Sequence, residues 1–184
     1  MKKILLATLL GLSTTLFAVS SCKYSADKTE LTWTAFKTPE KIAVKGSFNH
    51  IEVNFDKSSS KKELLKSSTA QIFTASVNSN NKGRDEKLVQ NFFIVQGVRT
   101  IDAKVVDVHK KSADVEISMN RIKKIISMNI EDNDQGMILK GSIDLADFKM
   151  LPSLNSITQA CYDLHKGKTW QDVDLEFKIY STCK

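Results

Sequence analysis

Apolar and polar positions alternate along the first part of the chain. In residues 31–55, LTWTAFKTPEKIAVKGSFNHIEVNF, Leu31, Trp33 and Ala35 fall on one side of a strand and Thr32, Thr34 and Phe36 on the other. The pattern breaks at Thr38-Pro39-Glu40 and resumes with Ile42, Val44, Gly46 and Phe48. A third run carries Ile51, Val53 and Phe55. A period of two marks a strand with one buried face, because successive side chains point to opposite sides. Three such strands form a meander whose apolar face must be covered by a second sheet or by the inside of a barrel.

The same period recurs downstream. Residues 70–77 predict one strand, with Phe73, Ala75 and Val77 on a common face, and residues 101–108 predict another. Val115, Ile117 and Met119 alternate with polar residues, as do Ile126, Met128 and Ile130. Two later strands carry Met137, Leu139, Gly141, Ile143 and Leu145, then Val173, Leu175, Phe177 and Ile179. Residues 79–83 and 132–136 are turn chemistry, with Gly136 supplying a positive φ. Residues 61–68 form a polar connection or a short helix. Apolar spacings of three and four predict a helix over 85–92, with Leu88, Val89 and Phe92 inward. They predict a second helix capped by Ser153, with Leu154, Ile157, Cys161 and Leu164 inward and an end at Lys166-Gly167. The fold class is all-β and antiparallel, about eight strands with one or two short helices. Strict alternation favours a closed barrel or a sandwich over a parallel sheet, whose strands read as continuous apolar runs.

The N-terminus changes the picture of where this domain works. Lys2 and Lys3 precede an apolar stretch over 4–16, a segment of signal-peptide length that is too short to span a bilayer. Residues 1–21 are therefore expected to be a signal peptide and residues 22–184 the working domain, in the periplasm. Leu16-Phe17-Ala18 suits ordinary cleavage. Val19-Ser20-Ser21-Cys22 resembles a lipobox, which would instead leave the protein lipid-anchored through Cys22. The three cysteines, Cys22, Cys161 and Cys183, belong to an oxidising compartment. Either Cys22 pairs with Cys183, where the first strand meets the last in a closed barrel, or Cys161 pairs with Cys183 and Cys22 is lipidated.

Charge excludes little but narrows the partners. There are 27 basic and 21 acidic residues, a balance of +6 that falls to +4 without Lys2 and Lys3. Only Lys57, Lys61, Lys62 and Lys66 form a locally basic run, a solvated loop or a contact for a membrane surface. No basic stripe interleaves with aromatics, so nucleic acid is not an expected partner. No nucleophile-elbow, zincin, phosphate-loop or dinucleotide glycine motif is present, so no catalytic residues and no cofactor are expected. Cys161 and His165 share a helix face and, with Cys183, make a thin candidate for a redox or metal site, short of the four ligands a structural zinc needs.

Three stretches carry a family resemblance. Residues 33–48, WTAFKTPEKIAVKGSF, resemble the first hairpin of the YceI-like family of bacterial envelope proteins. Residues 78–93, NSNNKGRDEKLVQNFF, are similar to its Arg-Asp pair, short helix and double aromatic. Residues 136–148, GMILKGSIDLADF, are similar to its late strand ending in Asp-x-Phe. The resemblance covers roughly residues 24–179. It implies a lipocalin-like barrel and a long isoprenoid or fatty chain held inside it. Trp33, Phe36, Phe48, Phe73, Phe92, Met119, Met128 and Phe177 are then the candidate cavity walls. A barrel of this size either fills with such side chains or encloses one ligand. Arg84 is the candidate for a ligand's head group, against a structural reading in which Arg84 pairs with a barrel carboxylate and Asp85 and Glu86 favour the helix start. A ligand-free interaction or envelope-stress module is the alternative.

Overall fold

The computed structural model describes residues 22–56 and 60–183. The leader read in residues 1–21, Lys57 of the basic run and the side chains of Cys22 and Cys183 lie outside the described part. The chain runs β1 (Cys22–Tyr24), β2 (Glu30–Lys37), β3 (Ile42–Phe48), β4 (Ile51–Asn54), α1 (Lys61–Ser67), β5 (Thr69–Phe73), β6 (Val77–Asn78) and α2 (Lys82–Leu88). It continues through β7 (Thr100–Val108), β8 (Ser112–Met119), β9 (Ile122–Asn133), β10 (Gly136–Asp144), α3 (Leu151–Ala160), α4 (Tyr162–His165) and β11 (Thr169–Cys183).

Among the described residues every strand pair is antiparallel, and the sheet runs β4-β5-β7-β8-β9-β10-β11-β2-β3-β6, with β1 on β11. Its two ends meet. Only Asn49 and His50 separate β3 from β4, and only Thr74–Ser76 separate β5 from β6. Each pair is one bent strand, and the two bends bond to each other: Asn49 N donates to Ser76 O (2.9 Å) and Phe73 N to His50 O (3.2 Å). Taking each bent pair as one strand, the circuit is the eight-stranded barrel that the alternation and the resemblance lead one to expect.

Local chemistry sets the turns. Asn120 and Arg121 both have positive φ (51° and 62°), as a two-residue hairpin with a right-handed twist demands. Gly136 opens β10 with φ 146°, and a Cβ there would sit 2.0 Å from Ile179 O on the neighbouring strand, so only glycine fits.

Two predicted elements are corrected. Residues 70–77 are not one strand: the Thr74–Ser76 turn interrupts it, held by Thr74 Oγ1 donating to Val98 O (2.8 Å). Ser153 is not a helix cap. The helix starts at Leu151 with Pro152 in its first turn, and Ser153 is fully buried, its N–H and O–H both donating to Gln96 Oε1 (3.2 and 2.9 Å). The helix also breaks at Cys161, where φ is −125°. Leu164 loses the phase of Leu154 and Ile157 and is 65% exposed instead of inward.

The helical segments close the two ends of the barrel. α1 lies at the β9–β10 end, where Lys61 pairs with Asp132, and buries Leu64 and Leu65. α2, the wide π turn at Val89–Phe93 and the tight 3-10 turn at Ile94–Gln96 that follow it pack against α3 at the opposite end, where β11 begins.

Candidate functional site

The inward faces of the strands enclose a cavity of about 590 Å³, within the usual range of roughly 300–1,000 Å³ for ligand sites. Inward alternation builds its walls: Leu31, Trp33, Ala35 and Lys37 from β2, Val44 and Phe48 from β3, Val115, Ile117 and Met119 from β8. The wall is overwhelmingly apolar. It ends at Leu65 of α1 on one side. On the other it reaches the surface beside Leu164 of α4 and the exposed Asn81 and Gly83 at the start of α2.

Of the residues predicted to line a cavity, Trp33, Phe36, Phe48, Phe92, Met119, Met128 and Phe177 do so. Trp33 is 7% exposed, and its Nε1 donates to Ser47 O (3.3 Å). Phe48 and Phe92 both pack on Phe93, with ring centroids 6.2 and 5.1 Å away. Phe36 sits at the rim, with Lys41 Nζ 4.8 Å from its ring centroid. Phe73 is the exception. It stacks on His50 at 4.1 Å and is absent from the wall, because the turn after it shifts the alternation.

Arg84 lines the mouth, but no carboxylate pairs with it among the described residues. Its Nε donates to Ser79 Oγ (2.7 Å) and its Nη2 to Ser79 O (2.8 Å), while Asp85 accepts from Ser79 N (2.8 Å) and Oγ. The Arg-Asp pair thus clamps the loop before α2. Lys37, Lys87 and His165 stand at the same mouth, candidate ligand contacts beyond those expected from sequence. The signals existed: Lys37 continues the 31/33/35 phase, and Lys87 lies one turn beyond Arg84 on one helix face. Lys87 Nζ donates to Ala160 O (3.1 Å), tying α2 to the end of α3. Burial pushes the His165 imidazole below its ordinary pKa, and the charges of Lys37 and Lys87 push it the same way. Its Nδ1 meets Thr169 Oγ1 at 2.8 Å.

Cys161 is a buried free thiol in the cavity wall. It stands near the start of β11, since His165 N donates to Cys161 O (2.9 Å) and Lys168 N to His165 O (3.0 Å). Cys183 ends the same strand, whose 15 residues run roughly 45–50 Å at about 3.3 Å each. A bridge needs Cα atoms within about 7 Å. The expected alternative pairing of Cys161 with Cys183 is therefore overturned, and the Cys161, His165, Cys183 metal or redox constellation does not assemble. Cys22 instead lies opposite Cys183 in the β1–β11 ladder.

A small antiparallel barrel closed by a bent corner, lined with apolar side chains yet hollow, belongs to the class of barrels that enclose a cavity instead of filling it. Within that class the chain belongs to the YceI-like family, whose domain matches residues 23–180. Solved structures agree on the fold. A polyisoprenoid binding domain from Saccharophagus degradans, implicated in plant cell wall breakdown, has a TM-score of 0.62 at 11% identity, covering 90% of this chain and 99% of that one. BcnA of Burkholderia cenocepacia has a TM-score of 0.57 at 12% identity, with 86% and 99% covered. The Campylobacter jejuni YCEI protein has a TM-score of 0.53 at 19% identity, with 100% and 99% covered. No curated protein matches the chain.

Proposed function

We propose that this protein binds a long apolar lipid, a polyisoprenoid, quinone-type or fatty chain, inside its barrel and acts in the bacterial envelope as its carrier or buffer. The observation that carries the reading is the apolar cavity of about 590 Å³ running from Leu65 to Leu164. Family membership and the polyisoprenoid-binding relative support it. The mechanism is burial: each CH₂ leaving water contributes roughly 0.8 kcal/mol, so a long chain binds tightly without polar contacts along its length. Chains are told apart by length and shape, and weakly per methylene. Binding is the activity, with no catalytic residue and no cofactor besides the lipid. Organic extraction and native mass spectrometry of the exported protein test the reading. Co-purifying lipid, or uptake of an added polyprenol, supports it. An empty barrel that refuses every added chain overturns it in favour of an interaction module.

The envelope location rests on the leader in residues 1–21 and on Cys22. Ser25 N donates to Tyr180 O (3.0 Å), and counting back along the ladder makes Cys22 and Cys183 a non-hydrogen-bonded pair. Cα atoms at such positions stand about 4.5 Å apart, inside the disulfide range of roughly 4.4–6.8 Å. A disulfide forms there when both thiols give up their protons and two electrons to a thiol–disulfide oxidant of the periplasm. It excludes a lipid thioether on Cys22 and leaves the mature protein unanchored. The expected exported form has one free thiol, Cys161, and a mass lower than the reduced chain by two hydrogens. A diacylglyceryl adduct on Cys22 would reverse this assignment.

A further inference from the structure

The charges around the cavity are one-sided. The chain has 21 acidic residues, yet none lines the cavity, whereas Lys37, Arg84, Lys87 and His165 all do. All four are half-buried and gather at the end where the wall reaches the surface. The other basic lining residue, Lys104, is exposed and lies across the ladder from Glu116, away from this group. None of Lys37, Arg84 and Lys87 makes an ion pair among the described residues. The carboxylates nearest in sequence are turned elsewhere: Asp85 accepts from Ser79, and Glu86 and Asp163 are exposed. Neighbouring lysines on the outer surface do have acidic partners, Lys41 with Asp172 and Lys166 with Glu40.

Cations that share a half-buried mouth without a counter-ion repel one another, and they are poorly solvated compared with surface lysines. An anion placed among them removes that cost and gains charge-assisted hydrogen bonds from donors already held in place. Arg84 is fixed by its bonds to Ser79, and Lys87 by its bond to Ala160. We infer that the ligand is an amphiphile with an anionic head, a phosphate ester or a carboxylate, seated between Lys37, Arg84, Lys87 and His165 while its chain fills the barrel. This deepens the lipid-binding reading above and rests on it. Neutral quinones and alcohols of equal chain length are then the weaker ligands.

The test compares three probes of matched chain length on the delipidated, exported protein: a polyprenyl phosphate, the corresponding polyprenol and a long-chain fatty acid. Hydrogen bonds to a charged group predict that an anionic probe binds about 10- to 100-fold more tightly than the alcohol. Whichever anion binds more tightly identifies the head as phosphate or carboxylate. In the Lys37→Gln, Lys87→Gln double variant the ratio of anion to alcohol affinity falls toward one; a ratio is unaffected by how much of the variant folds. Equal affinity for alcohol and anions in the parent protein overturns the head-group inference and leaves the lipid-binding reading standing. Failure of all three probes to bind removes that reading itself.

Discussion

The indole of Trp33 lies across the bare Cα of Gly46, its directly opposite partner on the next strand. A Cβ built on Gly46 would stand 2.2 Å from Trp33 Cζ2 and 2.9 Å from the backbone oxygen of Asn78. The glycine is the recess that lets a large ring lie flat against the barrel wall at the seam where β3 meets β6. Covering a glycine with a cross-strand aromatic is a known device for keeping such a strand in register.

Gly46→Ala is therefore expected to cost about 1–3 kcal/mol, because Asn78 O belongs to backbone and cannot move aside as a side chain would. Urea unfolding reads it. A Trp33→Leu background recovers only the part of the cost due to the ring. A loss below about 0.5 kcal/mol, typical of surface changes, contradicts the packing described.

Ala103→Phe probes whether the interior is open. Ala103 lines the cavity from β7. In a hollow barrel the added ring occupies unused space, so lipid uptake is blocked while the melting temperature stays level or rises. In a filled one, overpacking costs about 1–3 kcal/mol. Thermal unfolding and lipid binding on the same sample separate the two.

Gln96 holds the start of α3, accepting from both donors of the fully buried Ser153 while its Nε2 donates to Lys149 O (2.9 Å). Gln96→Leu strands those donors, and a buried unsatisfied donor costs roughly 1–3 kcal/mol. The Gln96→Leu, Ser153→Ala double variant recovers part of the loss. If the two changes simply add, the network is not coupled as drawn.

The His165 pKa, held down chiefly by burial and further by Lys37 and Lys87, gives a pH dependence of definite sign. Well above about 6.5 the ring is neutral in folded and unfolded chains alike, and its contribution is fully present. As pH falls below that value the unfolded chain takes up a proton first, so stability drops until the folded value is passed. His165→Gln is expected to flatten the profile as the pH falls through and below the ordinary imidazole value. An identical slope in parent and variant would show that the imidazole is not desolvated.

The strands were legible because alternation records burial on one face, a property carried by local sequence. Residues 173–179 show this plainly: Val173, Leu175, Phe177 and Ile179 all line the cavity from one strand. The bent corner was not legible. Phe73, Ala75 and Val77 alternate as a continuous strand would, but the Thr74–Ser76 turn slips the phase by one residue, so Ile72 and Val77 face inward and Phe73 does not. The bond that helps hold the turn in place reaches Val98, which no local pattern reveals. Leu164 was misplaced for the same reason, since helical spacing loses its meaning past the break at Cys161. Lys37 and Lys87 carry little local signal of a site, because a lone lysine ordinarily reads as surface and only the folded chain brings them together.

The unfilled interior has a thermodynamic consequence of its own. Close packing stabilises most domain cores, and each void forfeits contact energy. A barrel with about 590 Å³ left open withholds that energy from its own folding and lets an occupant return it. Stability then becomes a readout of cargo, rising with the logarithm of ligand concentration above the dissociation constant. Preparations from different cells would melt at different temperatures according to what they carry, and stripping the cargo would return them all to one common value.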